Sequence, residues 1–144
     1  MRFWDSSALV SLLINEPRSD RLKALGQEDP AVAVWWGTPV ECTSALVRRE
    51  RGGSITASAR DSGLAALSAS ASLWLAVGPT AALRDAAVRA VRVHGLSAGD
   101  ALQLAAALDW AEGRPAGRVL VSLDGEVRSA ASAEGFGVLP DLAA

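Results

Sequence analysis

Residues 118–128 read R-V-L-V-S-L-D-G-E-V-R. The β-branched, apolar run over Arg118–Leu123 predicts a strand, Asp124-Gly125 interrupts it, and Glu126–Glu134 takes up a helical pattern. The same junction opens the chain, where the apolar Met1–Trp4 meets Asp5 and then S-S-A-L-V-S-L-L, with Leu9, Leu12 and Leu13 at helical spacing. Working outward, Ser6–Asn15 predicts a helix stopped by Glu16-Pro17, and Ser19–Gly26 a short second one. Ala31–Trp36 is a continuous apolar run, as expected of a strand buried on both faces. Thr38 opens a helix with Pro39 at its first position, and Gly52-Gly53 ends it. Ile55–Leu73 reads as one or two helices and Trp74–Val77 as a third strand. Thr80–His94 and Ser97–Glu112 are helices, and Phe136–Leu139 is a last strand. Strands alternating with helices imply an α/β fold with a parallel sheet.

The chain has 144 residues, half of them hydrophobic, enough for a single domain (1–144) with a sizeable core. No apolar run approaches the roughly 20 residues of a membrane span, and the N-terminus lacks a secretory layout, so no membrane association and a cytoplasmic location are expected. The lone Cys42 cannot form an intramolecular disulfide. A net charge of −2 gives the molecule no overall attraction for nucleic acid, so any such attraction must be local.

Asp5, Glu41, Asp100 and Asp124 each stand where a strand or loop gives way to a helix. Taken singly, each has an ordinary explanation. Thr38-Pro39-Val40-Glu41 and Ser97-Ala98-Gly99-Asp100 both have the layout of a capping box, and Asp5 and Asp124 suit N-caps. Taken together they point elsewhere. Parallel strands gather their helix starts at one edge of the sheet, so the carboxylates converge, and converging carboxylates repel unless a cation offsets them. Oxygen donors in a chain with one histidine and one cysteine call for Mg²⁺ or Mn²⁺ rather than zinc. The matching chemistry is metal-assisted hydrolysis of a phosphodiester, which needs no histidine. His94 reads as a cap or surface residue and Cys42 as core. A phosphate-accepting receiver would need a late lysine, and the only lysine is Lys23. A haloacid-type phosphatase would need an aspartate where Ser7 stands.

The segments F-W-D-S-S-A-L-V-S-L-L (3–13), T-P-V-E-C-T-S-A-L-V-R-R-E-R-G-G (38–53), L-S-A-G-D-A-L-Q-L-A-A-A-L (96–108) and L-V-S-L-D-G-E-V-R-S-A-A-S-A-E-G-F-G-V-L-P (120–140) resemble the PIN domain, and within it the VapC-type toxins of toxin–antitoxin pairs. The resemblance runs over nearly the whole chain. It implies a three-layer α/β/α sandwich with a central, mostly parallel sheet. It also implies a Mg²⁺- or Mn²⁺-dependent endoribonuclease acting on RNA, a cognate VapB-like antitoxin and a toxin homodimer. Asp5, Glu41 and Asp100 match the family's three best-kept acids and Asp124 its more variable fourth. Ser6 and Ser122 match small hydroxyl positions that orient ligands or water. Gly125-Glu126 departs from the basic pair often found after the fourth acid. The alternative is a catalytically silent PIN-like binding module whose acids only cap helices.

Arg48 lies seven residues after Glu41, about two turns, and shares its helix face, where it can steer an RNA phosphate. Arg49 and Arg51 read as a solvated helix end. The tryptophans are expected in the core, with Trp36 the one best placed to stack on a base. The helices between Ser6 and Gly26 and between Ile55 and Leu73 read either as ordinary core or as the lining of an antitoxin groove.

Overall fold

The structure, a computed structural model, describes residues 1–142. Strands β1 (Arg2–Trp4), β2 (Val32–Trp35), β3 (Leu75–Val77), β4 (Val119–Val121) and β5 (Gly137–Leu139) form one sheet in the order β3-β2-β1-β4-β5. Every pairing is parallel, so the expected mostly parallel sheet is wholly so among the described residues. Seven helices complete the described fold: α1 (Ser6–Leu13), α2 (Ser19–Glu28), α3 (Thr38–Arg51), α4 (Ala57–Ala71), α5 (Ala81–His94), α6 (Ala98–Trp110) and α7 (Gly125–Glu134).

The layers follow from side-chain alternation along the strands. Phe3, Ala33, Trp35 and Leu120 point to one face, where α5, α6 and α7 cover them with Leu83, Leu104 and Val127. Trp4, Val34 and Val121 point to the other, under Leu9 of α1, Leu22 of α2, Cys42 of α3 and Leu67 of α4. The result is a three-layer α/β/α sandwich. Each fully buried Leu, Val or Phe contributes about 1.5–3 kcal/mol to holding it together. No helix among the described residues is long and apolar enough to cross a membrane.

The order of the strands places the site. From β1 the chain steps outward to β2 and β3, then returns to the other side of β1 for β4 and β5. The direction of winding therefore reverses between β1 and β4. The helices that leave these two strands, α1 and α7, go to opposite faces and open a crevice at the carboxyl edge, the usual place for a site in such sheets.

Several element limits differ from the sequence reading. Ile55–Leu73 holds a single helix, α4, whose N-cap Thr56 accepts from the Ala59 amide at 3.0 Å. Helix α1 ends at Leu13, and α2 runs on to Glu28. Trp74 precedes β3 instead of belonging to it and packs on the core beside α4. Trp36 lies beyond β2 and is 60% exposed, unlike the buried Trp4 and Trp35. The helices on the α1 side contribute Leu9, Leu22 and Leu67 to the core and leave an apolar cavity of about 200 Å³ between Leu12, Leu13, Gly26 and Trp74.

Helix α3 starts one residue earlier than the capping pattern implies, and Gly37 takes the cap position. A Cβ on Gly37 would lie 2.5 Å from the indole nitrogen of the buried Trp35. Either that ring or the start of α3 must move to admit one. We predict that Gly37→Ala lowers stability by about 1–3 kcal/mol, the usual cost of overpacking. Urea denaturation checks this, and an unchanged midpoint overturns it.

Candidate functional site

All four acids line one cavity of about 550 Å³ at the carboxyl edge of the sheet. Asp5 follows β1 directly and Asp124 comes three residues after β4, at the N-cap of α7; Glu41 and Asp100 come from the first turns of α3 and α6. Ser6, Ser7, Arg18, Ser44, Arg48 and Arg49 are also in the wall.

Asp5 is the most enclosed of the four, 2% exposed. Its Oδ2 accepts from Ser7 Oγ and from Ser122 Oγ, both at 2.7 Å. Those hydroxyls are themselves fixed, since the Leu123 amide donates to Ser7 Oγ at 2.9 Å and the Asp124 amide to Ser122 Oγ at 3.0 Å. Arg128 braces the same turn from behind, donating to the carbonyls of Ser122 (2.8 Å) and Pro140 (2.9 Å). Oδ1 keeps only a long contact of 3.5 Å from Ser6 Oγ, which also donates to Glu41 Oε2 at 3.1 Å. Ser6 thus links the first two acids.

Glu41 is held from its other side by Gln103. This glutamine of α6 is fully buried, and its Nε2 donates to Glu41 Oε1 at 3.3 Å and to Thr38 Oγ1 at 3.1 Å. Its Oε1 has no partner. Turning the amide over would set that oxygen against the carboxylate, so the donor faces the acid. Thr38 is therefore not the N-cap expected of it. Its hydroxyl is engaged by a residue 65 positions away.

The capping explanation can now be judged acid by acid. Asp124 does cap, its Oδ1 accepting from the amides of Glu126 (2.9 Å) and Val127 (3.0 Å). Asp5 occupies the N-cap position of α1 without making a capping bond. Glu41 bonds to Ser6 and Gln103, not to a helix-end amide. At α6 the cap is Ser97, which accepts from the Asp100 amide at 3.3 Å. Three of the four carboxylates are thus free of that structural duty.

Electrostatics follow from the enclosure. Burial pushes the Asp5 carboxyl above its ordinary value, against the hydrogen bonds of Ser7 and Ser122, and the Asp124 charge adds to the rise. Burial raises Glu41 as well, with Asp5 and Asp100 adding to it and Ser6 and Gln103 opposing. Asp100 is raised by burial first and then by the Asp124 charge. Cys42, one residue from Glu41 and facing the core, has its thiol pushed up to about 12 by burial and by the charges of Glu41 and Asp5, which leaves it inert. Among the described residues no three acidic, histidine or cysteine side chains close tightly enough to hold an ion as placed. The carboxylates ring the wall instead. The donor set suits a hard divalent cation, being oxygen alone and anionic in excess.

Other expected residues are distributed unevenly. Arg48 lines the cavity, as its spacing from Glu41 implies. Trp36 is outside it. His94, the last residue of α5, is half-buried instead of lying on the surface and is paired with Glu134 at 2.9 Å. Ser7, Gln103, Arg18 and Arg49 were not singled out as site residues by the sequence reading. For Gln103 a signal exists: it is a polar side chain in an Ala/Leu run, one turn from Asp100 and so on the same face.

Two outcomes follow. A raised pKa means that Asp100 favours folding below the ordinary aspartate value of 3.8 and loses that contribution as pH rises through its folded value. Asp100→Asn, which never ionises, should therefore be more stable than the parent at pH 7 in EDTA. The gain should be about 1 kcal/mol or less for a half-buried, partly screened group, and it should vanish below pH 3.8. Thermal melts across pH check the sign. Gln103→Leu removes a donor to the Glu41 carboxylate, and the Glu41 pKa should rise further. Stability should fall by about 1–3 kcal/mol, because the buried Thr38 hydroxyl loses its partner, with removal of the unpartnered Oε1 an offset. Carbon-detected carboxyl titration reads the shift, and an unmoved Glu41 resonance would count against this role.

No family model matches the chain, and a search of curated proteins finds no match. Among solved structures, the crystal structure of PAE2754 from Pyrobaculum aerophilum is similar in fold, with a TM-score of 0.62 and 24% sequence identity over 96% of this chain and 87% of that one.

Proposed function

We propose that the protein is a Mg²⁺- or Mn²⁺-dependent endoribonuclease that hydrolyses RNA phosphodiester bonds, and that it is the toxin of a type II toxin–antitoxin pair with a VapB-like antitoxin. The observation that carries the reading is the gathering of Asp5, Glu41, Asp100 and Asp124 into one cavity, with three of the four carboxylates not used as caps. Uncompensated carboxylates with raised pKa values are costly to a fold. Their concentration in a crevice is the usual mark of a working site. The toxin assignment, the antitoxin and a homodimer rest on the resemblance of the four acidic segments to VapC-type PIN domains.

In this reading Asp5, Glu41 and Asp100 hold the metal, and Asp124 contributes charge from a carboxylate fixed by its cap bonds. A bound Mg²⁺ or Mn²⁺ supplies Lewis acidity at the phosphate and an activated water. The chain's own part is positioning. Ser7 and Ser122 lock Asp5 so that its orientation does not depend on the ligand. Ser6 spaces Asp5 from Glu41, and Gln103 keeps Glu41 turned to the cavity and favours its ionised form. Arg48 offers a cation toward which an RNA phosphate is drawn. A silent binding module remains the competing reading, supported by the cap bonds of Asp124 alone.

The test is RNA cleavage by the purified protein. Activity is expected with Mg²⁺ or Mn²⁺ and none with EDTA. Asp100→Asn should lower the rate by at least about a hundredfold, the scale of losing a group on which the chemistry depends. Near-normal cleavage by Asp100→Asn at equal folded concentration would remove that residue from the metal site. Absence of any metal-dependent cleavage by the parent would favour the silent module.

A further inference from the structure

The four carboxylates and Arg18, Arg48 and Arg49 all line the cavity, and along α3 the charges separate, Glu41 lying in the first turn and Arg48 and Arg49 in the last. Glu41, Ser44, Ala45 and Arg48 fall on one face of this helix and line the same wall.

The three arginines are not equivalent. Arg49 is paired with Glu16, and Arg18 stands 3.9 Å from the same carboxylate. Ser11 donates to Glu16 at 2.9 Å and completes its setting. Burial works to raise Glu16, but Arg49, Ser11 and Arg18 outweigh it and hold the carboxyl below its ordinary value, so it is a firm anion. Arg48 has no carboxylate partner among the described residues. Its Nε donates to the Ser44 carbonyl one turn back, at 3.4 Å, which leans the side chain along the trough toward Glu41. The rise from Glu41 to Arg48 is about 10 Å along the helix.

We propose that this trough is a subsite for a phosphate flanking the scissile one in single-stranded RNA, contacted by Arg48 and moderated by Glu16, which neutralises Arg49 and Arg18 at its mouth. The proposal deepens, and rests on, the reading of the four acids as a phosphodiester-cleaving site. A guanidinium is suited to the task because it presents paired donors to phosphate oxygens and keeps its charge at every working pH. Placed beyond the acids, it offsets the repulsion that a polyanion meets on approaching them, so they need not bind the RNA unaided. Glu16 sets the strength of that attraction, since each arginine it neutralises is withdrawn from the phosphate chain.

Binding of a short fluorescent oligouridine to the full chain in EDTA, followed by anisotropy across salt concentrations, tests this without recourse to catalysis. Arg48→Ala should weaken binding several-fold and flatten the log–log salt slope by about 0.7, the value for one phosphate contact on a single strand. Arg48→Lys should keep the slope. Arg49→Ala should lose less than Arg48→Ala, and Glu16→Gln should bind more tightly than the parent, with melting curves showing both proteins folded. Unchanged affinity and slope in Arg48→Ala, a weakened affinity without a change of slope, or weaker binding by folded Glu16→Gln would each overturn the proposal. Cleavage assays in Mg²⁺ separate it from its premise. Arg48-dependent binding without any cleavage leaves the subsite standing and removes the nuclease reading; metal-dependent cleavage with Arg48-independent binding does the reverse.

Discussion

A buried carboxylate joins the two central strands. Asp5 follows β1, and the hydroxyl of Ser122, which follows β4, donates to it across the gap, while Ser7 donates to the same oxygen from the first turn of α1. Taking a carboxylate out of water costs several kcal/mol unless hydrogen bonds replace the lost solvation. Two short bonds do so in part, and the raised pKa shows that the replacement is incomplete. The bonds also specify geometry. They set the end of β1 against the end of β4 at the point where the sheet reverses its winding, and the helices that begin there inherit that register. Moving either strand by one residue would turn its side chains to the opposite face and break the clasp.

Around this clasp the acids divide between structure and excess. Asp124 is held by two backbone amides, an arrangement that repays part of the cost of keeping a charge there. Asp5, Glu41 and Asp100 have no comparable role at their helix ends, yet all three are pushed toward the neutral form by burial and by neighbouring carboxylates, Asp124 among them. At α6 the capping is done by Ser97 three residues earlier, so the Asp100 carboxylate is not needed for it. Under the proposed reading, the mutual repulsion of the carboxylates is what a bound divalent cation would relieve.

How much of this was legible depended on whether the cause was local. The strand–acid–helix junctions at Asp5 and Asp124 are local, written in a few consecutive residues, and they lie where the pattern puts them. The convergence of Glu41 and Asp100 followed from topology once the strands were taken as parallel. Gln103 was not legible in the same way. Its partners Thr38 and Glu41 are 65 and 62 positions distant, and an Ala/Leu-rich helix gives only the oddity of one polar side chain. The capping box at Thr38 failed for the related reason that a tertiary contact engaged the hydroxyl the local pattern had assigned to a helix amide. The Glu16–Arg49 pair joins a turn to the last turn of a helix 33 positions later, so Arg49 read as a solvated helix end.

Helix α3 shows how a single element can carry both polarities of the cavity. Seven residues bring a helix nearly back into phase, about 20° short of it, so Glu41 and Arg48 share a face only while α3 is regular throughout its length. Its phase is set from outside. At the start, Gly37 has no room for a side chain against Trp35. Further along, a Cβ on Gly63 of α4 would come within 3.2 Å of Leu46, so the two helices cross closely there. Leu46 is fully buried and lies on the side of α3 that packs on α4, with Cys42 one turn before it on the sheet's core. These contacts fix which side of α3 is inward and, by exclusion, which side forms the trough. Rotation of α3 by even one residue, 100°, would carry Glu41 away from Ser6 and Gln103 and turn Arg48 out of the cavity together. Glu41 and Arg48 are thus not independent features of the surface but two consequences of one helix packing.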